Sequence, residues 1–169
     1  MGGCRSGKSR YALELATQVA GRNRIFVATC MPGDKEMEER VRRHQKERSQ
    51  SWTTVEAPLS LAEAVDEHSR QGNVIVADCL TLWLSNLLLE INNPEEIEVH
   101  IKRLIQSLES SQCPVFLVSN EVGTGIVPEN RLARKFRDVA GFANQNVAAC
   151  SDMVIWMVAG IPVTIKNRK

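Results

Sequence analysis

Directly after Met1 the chain reads Gly2-Gly3-Cys4-Arg5-Ser6-Gly7-Lys8-Ser9, which satisfies G-x-x-x-x-G-K-[ST] at every defined position. Glycines let such a loop wrap tightly enough for backbone N–H groups to point at phosphate oxygens. The following helix, through Tyr11 and Leu13, adds its positive N-terminal end. Lys8 would reach the terminal phosphates of a nucleoside triphosphate, and the Ser9 hydroxyl would ligate Mg²⁺. A P-loop normally hangs from the C-terminal end of a central strand, yet only Met1 precedes Gly2. Roughly five residues of strand are therefore expected ahead of it. A start upstream of Met1 accounts for this better than loss of a strand, since the remaining sequence reads as intact.

That remainder alternates β-rich apolar runs with helical patterns, as βα units with a mainly parallel sheet do. Strands are expected at Ile25–Cys30, Thr53–Glu56, Asn73–Asp78, Val115–Asn120, Met153–Val158 and Pro162–Lys166. Helices are expected at Lys8–Val19, Asp34–Arg48, Ser60–Ser69, Leu80–Leu89, Pro94–Ser110 and Asn130–Cys150. The last two strands are too close for a parallel crossover and should form an antiparallel hairpin at one sheet edge. The whole, residues 1–169, reads as one α/β domain: a P-loop NTPase-like, mainly parallel sheet flanked by helices, with its first strand missing.

Composition narrows the partners. A net charge of +1 gives no polyelectrolyte attraction to nucleic acid or to an anionic membrane surface. The longest apolar run, near Leu80 to Leu89, falls far short of a membrane span. Five scattered cysteines, with no C-x-x-C pair, argue against a disulfide framework and a zinc site. No signal-peptide pattern is recognised, so a cytoplasmic protein is the expectation.

Two further residues carry chemistry. Asp78 closes the apolar run Val74–Ala77, where P-loop proteins place a second Mg²⁺-associated carboxylate; strands also end in Asp for turn chemistry. His44 lies within Arg40-Val41-Arg42-Arg43-His44-Gln45-Lys46-Glu47-Arg48. That segment is either a solvated helix face or a basic arm able to hold triphosphate charge, with His44 as base or nucleophile. His68 and His100 sit among polar residues and read as surface positions.

Together with the P-loop, four stretches carry a specific resemblance: Val27-Ala28-Thr29, the run from Arg40 through His44 to Trp52–Glu56, Asp78–Leu87, and above all Ser119-Asn120-Glu121-Val122-Gly123-Thr124-Gly125-Ile126-Val127-Pro128-Glu129-Asn130-Arg131-Leu132-Ala133-Arg134. Over essentially its whole length the chain resembles the bifunctional adenosylcobinamide kinase / adenosylcobinamide-phosphate guanylyltransferase family of cobalamin biosynthesis. The resemblance implies an enzyme with two activities on one nucleotide site. A nucleoside triphosphate phosphorylates adenosylcobinamide; then His44, aligned with the family's guanylylated histidine, takes GMP from GTP and passes it to adenosylcobinamide phosphate.

By the same alignment the nucleotide pocket comprises Gly2, Gly3, Cys4, Arg5, Ser6, Gly7, Lys8, Ser9, Ala28, Thr29, Cys30, Gln45, Lys46, Glu47, Arg48 and Glu56, with Asp78 or Cys79 near the magnesium and ribose. His44, Lys8 and Ser9 are implied as catalytic, Ser9 and Asp78 as metal-associated. GTP (or ATP for the kinase step) and Mg²⁺ are the implied cofactors, and a homotrimer the implied assembly. Glu56, at a strand end, could accept from guanine N1–H and N2–H₂. The Gly123–Pro128 loop reads as a lid, a corrinoid contact or a rigid turn, and Arg131, Arg134 and Arg137 as phosphate-holding or solvated. Two alternatives stand beside this reading: a single-activity small-molecule kinase with a structural His44, or a catalytically impaired nucleotide-binding module.

Overall fold

The protein was analysed as a computed structural model that describes residues 1–19, 23–31, 51–91 and 93–168. In chain order the described elements are α1 (Lys8–Gln18), β1 (Asn23–Ala28), β2 (Trp52–Glu56), α2 (Leu61–His68), β3 (Asn73–Asp78), α3 (Leu80–Ile91), α4 (Pro94–Glu109), β4 (Val115–Val118), α5 (Arg131–Cys150), β5 (Met153–Val158) and β6 (Ile161–Asn167). The helix expected over Asp34–Arg48 lies outside the described residues.

Four strands form a parallel sheet in the order β2-β1-β3-β4. Because side chains alternate along a strand, each strand feeds two cores. Ile25, Val27, Ile75 and Ala77 face the larger core, with Trp83, Leu84, Ile97, Ile101 and Ala140 from the helices covering that side. Phe26, Val74 and Val76 face the other side, where Ala12, Leu13 and Ala16 of α1 close over them. All of β3 from Asn73 to Ala77 is buried, the reason its sequence is a continuous apolar run.

The expected antiparallel hairpin is present. Its turn is Ala159-Gly160, both at positive φ (51° and 83°), the backbone twist a two-residue hairpin turn requires. β5 and β6 form a two-stranded sheet of their own, and Gly2 connects it to the larger one. Gly2 pairs in parallel with Asn120, just past β4, and with Met157 on β5. Glu121 donates its N–H to the Gly2 carbonyl (3.0 Å), and Met157 donates to that of Met1 (2.8 Å). Met1–Gly2 thus occupies a strand position between β4 and β5, and the loop that follows leaves from the C-terminal edge of the sheet.

Candidate functional site

The loop's geometry follows from its glycines. At Gly2 (φ 151°) a Cβ would stand 2.5 Å from the Met157 carbonyl oxygen, so the pairing with β5 requires glycine there. Arg5 (φ 52°) and Gly7 (φ 88°) turn the chain through left-handed conformations before α1 begins. Gly7 is the N-cap and supplies no side-chain cap, while Tyr11 N–H donates to its carbonyl at 3.0 Å. The amides of the first helical turn therefore face the loop mouth with the positive end of α1 behind them. The Lys8 ammonium folds across this mouth, donating to the Gly3 carbonyl at 2.5 Å and to Ser6 Oγ at 3.5 Å. These are replaceable partners for a cation whose stem can swing to a phosphate. A cavity of about 390 Å³ opens beside the loop, lined by Arg5, Ser6, Gly7, Arg10 and the hairpin turn Ala159-Gly160. Cys4 is exposed on the loop.

Strand register brings the other described candidates to the same edge. Ala28 pairs with Glu56 on one side and Asp78 on the other, and Asp78 pairs with Val118. Glu56 is exposed, whereas Ala28 and Asp78 are half-buried. Lys8 and Asp78 both act electrostatically on the Cys79 thiol, so the loop's cation and the strand's carboxylate share one neighbourhood. Burial, reinforced by the Asp78 charge, pushes that thiol up to about 11. It is 4% exposed and bonded to Thr81 Oγ1 (3.2 Å), a neutral group at physiological pH. Thr29 is fully buried: its hydroxyl accepts from Cys79 N–H (2.7 Å) and donates to the Cys79 carbonyl (2.8 Å). In this conformation Thr29 braces the site from beneath. Cys30 is half-buried where the chain leaves β1. His44, Gln45, Lys46, Glu47 and Arg48 lie outside the described residues.

Several supporting residues were not anticipated. Asn86, one amide in the apolar helix α3, donates to the carbonyls of Thr29 (2.8 Å) and Pro58 (2.9 Å), tying the exits of β1 and β2 together. A lone amide among leucines was the available signal. Asn144 of α5, 9% exposed, accepts from Ser119 Oγ (2.6 Å) and donates to the Asn120 carbonyl (3.4 Å), fixing the segment against which Gly2 pairs. Asn120 in turn donates to Thr81 Oγ1 (3.0 Å).

Of the three arginines after the Asn120 segment, Arg131 and Arg134 are exposed and Arg137 is half-buried. Arg137 donates to the carbonyls of Gly123 (2.7 Å) and Ile126 (2.9 Å); Arg134 donates to those of Pro128 (3.1 Å) and Glu129 (2.5 Å). Both arginines clasp the 123–129 loop through exposed hydrogen bonds. With Glu121 Oε1 accepting from Gly123 N–H at 2.5 Å, the loop is held from both ends, and its tip residue Ile126 is 97% exposed.

Comparison with known proteins identifies the family. The profile of the cobinamide kinase / cobinamide phosphate guanyltransferase family matches residues 1–165. The bifunctional adenosylcobalamin biosynthesis protein CobP of Pseudomonas aeruginosa is 39% identical over 99% of this chain and 95% of its own. The bifunctional adenosylcobalamin biosynthesis proteins CobU of Escherichia coli K12 and Salmonella typhimurium are 41% and 40% identical, each over 98% of this chain and 97% of theirs. A profile matched over nearly the full length and relatives at this identity have one consequence: the chain belongs to the cobinamide kinase / cobinamide phosphate guanyltransferase family.

Proposed function

We propose that this protein phosphorylates adenosylcobinamide and then transfers GMP from GTP to the product through a covalent intermediate on His44. The observation that carries the reading is the open loop Gly2–Ser9 at the head of α1, on the same sheet edge as Glu56 and Asp78. In the first reaction the hydroxyl of the aminopropanol arm attacks the γ-phosphorus, and the nucleoside diphosphate leaves. In the second, an imidazole nitrogen of His44 attacks the α-phosphorus of GTP, and the bond to the β-phosphate breaks, releasing pyrophosphate. A phosphate oxygen of adenosylcobinamide phosphate then attacks the same phosphorus, the P–N bond breaks, and adenosylcobinamide-GDP forms. Loop amides, Lys8 and the α1 terminus can hold either phosphate, because both reactions depend chiefly on positioning and on neutralising charge.

Mg²⁺ suits the donors available. Ser9 and Asp78 offer oxygen only, and no cluster of three or more His, Cys, Asp or Glu able to hold a metal occurs among the described residues. Mg²⁺ takes one or two protein oxygens plus substrate phosphates and water, and when bound offsets the charge of the β- and γ-phosphates. GTP is the proposed nucleotide, with ATP as alternative donor for the first step. The proposed assembly is a homotrimer in the cytoplasm, to which the exposed apolar residues Ile161, Val163 and Ile165 of the hairpin lend support.

The test uses GTP labelled at the α-phosphate. Acid-labile, base-stable label should appear on the protein and disappear in His44→Ala, while phosphorylation of adenosylcobinamide persists. Label retained in His44→Ala would overturn the assignment; no label with intact kinase activity would leave a single-activity kinase.

A further inference from the structure

The phosphate loop and Asp78 reach the same sheet edge from positions that are not neighbours. Asp78 ends β3, and β4 runs between β3 and Gly2. Asp78 is level with Val118, while Gly2 pairs two residues further on, with Asn120. Strands lie about 4.8 Å apart, so the backbones of Gly2 and β3 stand roughly 10 Å apart across β4. The β3–β4 ladder stops at Asp78 and Val118, and past that point side chains tie the two exits together. Half-buried Asn120 joins three elements there. Its amide donates to Thr81 Oγ1 (3.0 Å) in the first turn of α3, three residues beyond Asp78. Its carbonyl accepts from Asn144 Nδ2 of α5 (3.4 Å), and its backbone pairs with Gly2. Thr81 is 4% exposed, and its hydroxyl also meets Cys79 Sγ (3.2 Å). Cys79 is gripped by the Thr29 hydroxyl, and Thr29 N–H donates to the Asp78 carbonyl at 3.2 Å. Contacts thus run from Gly2 through Asn120, Thr81, Cys79 and Thr29 to the backbone of Asp78.

We propose that Asn120 and Thr81 are positioning residues, whose bond sets the distance between Asp78 and the phosphate loop; the inference rests on the function proposed above. Neither side chain has to touch the nucleotide. A divalent cation shared by Asp78 and loop-held phosphates tolerates little change in that distance, since Mg²⁺ demands near-octahedral geometry with oxygens at about 2.0–2.1 Å. An apolar contact between the same exits could slide, whereas a hydrogen bond is directional and fixes a separation. Placing that bond at Asn120, the residue paired with Gly2, couples the loop to the carboxylate's strand by the shortest side-chain route.

The experiment measures calorimetric binding of a non-hydrolysable GTP analogue, in Mg²⁺ and in EDTA, to the parent chain, Thr81→Val, Thr81→Ser, Asn120→Ala and Asp78→Asn. Thr81→Val keeps the buried volume and removes the acceptor, so Tm should stay within about 2–4 °C of the parent. Its affinity in Mg²⁺ should fall about tenfold, the weight of one neutral hydrogen bond, while affinity in EDTA matches the parent. Thr81→Ser should restore the Mg²⁺ effect, and Thr81→Val combined with Asn120→Ala should bind no more weakly than either alone. Equal losses in Mg²⁺ and EDTA would make the bond a support of the fold only and overturn the proposal. A Mg²⁺ effect lost in Asp78→Asn but intact in Thr81→Val would sink this inference alone. Parent binding indifferent to Mg²⁺ would overturn the functional reading, and the inference with it. Should Thr81→Val not fold, Asn120→Ala, at a half-buried position, gives the same comparison.

Discussion

At Cys79 a side chain with reactive potential is kept inert by its surroundings. Its thiol, at about 11, lies above the ordinary 9.0, so the folded protein keeps a proton that the unfolded chain releases. The stability this represents is present below pH 9 and is lost as pH rises toward 11, a change on the order of 2 kcal/mol. Urea unfolding at pH 8 and at pH 10.5 should show a shallower decline in Cys79→Ala than in the parent chain. Iodoacetamide should modify exposed Cys4 and leave Cys79 untouched in the native state. Glu56 presents the opposite case, an exposed carboxylate in register with Ala28 and, one strand further, Asp78. If it accepts from guanine N1–H and N2–H₂, Glu56→Gln should reduce GTP-over-ATP selectivity by about 10-fold or more, one charge-assisted pair's worth. Unchanged selectivity in competitive binding would remove Glu56 from the guanine site.

Among the elements, the 123–129 loop derives its shape from α5. Three-residue spacing puts Arg134 and Arg137 on one face of that helix, and the loop carbonyls they meet belong to residues just upstream. Arg137→Ala should cost about 1–2 kcal/mol and expose the segment around Ile126 to proteolysis. Limited digestion compared with the parent chain measures this. If the loop also contacts the corrinoid, KM for adenosylcobinamide should rise while GTP labelling of the protein stays constant. Asn130 caps the same helix, accepting from Ala133 N–H at 3.1 Å, so loop and helix start are fixed as a unit.

For the whole molecule, the outstanding surface feature is the hairpin. Ile161, Val163 and Ile165 alternate on β6 and are 65%, 46% and 58% exposed, an apolar row of the kind subunit interfaces cover. Val163→Asp should convert the proposed trimer to monomer in light scattering, with Tm becoming independent of protein concentration. Much of this architecture could be read in the chain itself. The loop motif, the β3 run ending at Asp78, the Pro94 and Asn130 helix starts and the hairpin are local patterns, set by backbone sterics, capping chemistry and apolar periodicity. The distinctive Ser119–Arg134 string was equally legible as a family resemblance, though what its arginines hold was not. What only the tertiary structure decided depends on residues far apart in sequence. Periodicity says which way a side chain faces but not which strand lies beside it. The alignment of Ala28, Glu56 and Asp78, the ties from Asn86 and Asn144, and the pairing of Gly2 between Asn120 and Met157 arise from packing around a shared core. The motif alone carries the proposal of a phosphate cradle; the register of separate strands decided which groups stand beside that loop.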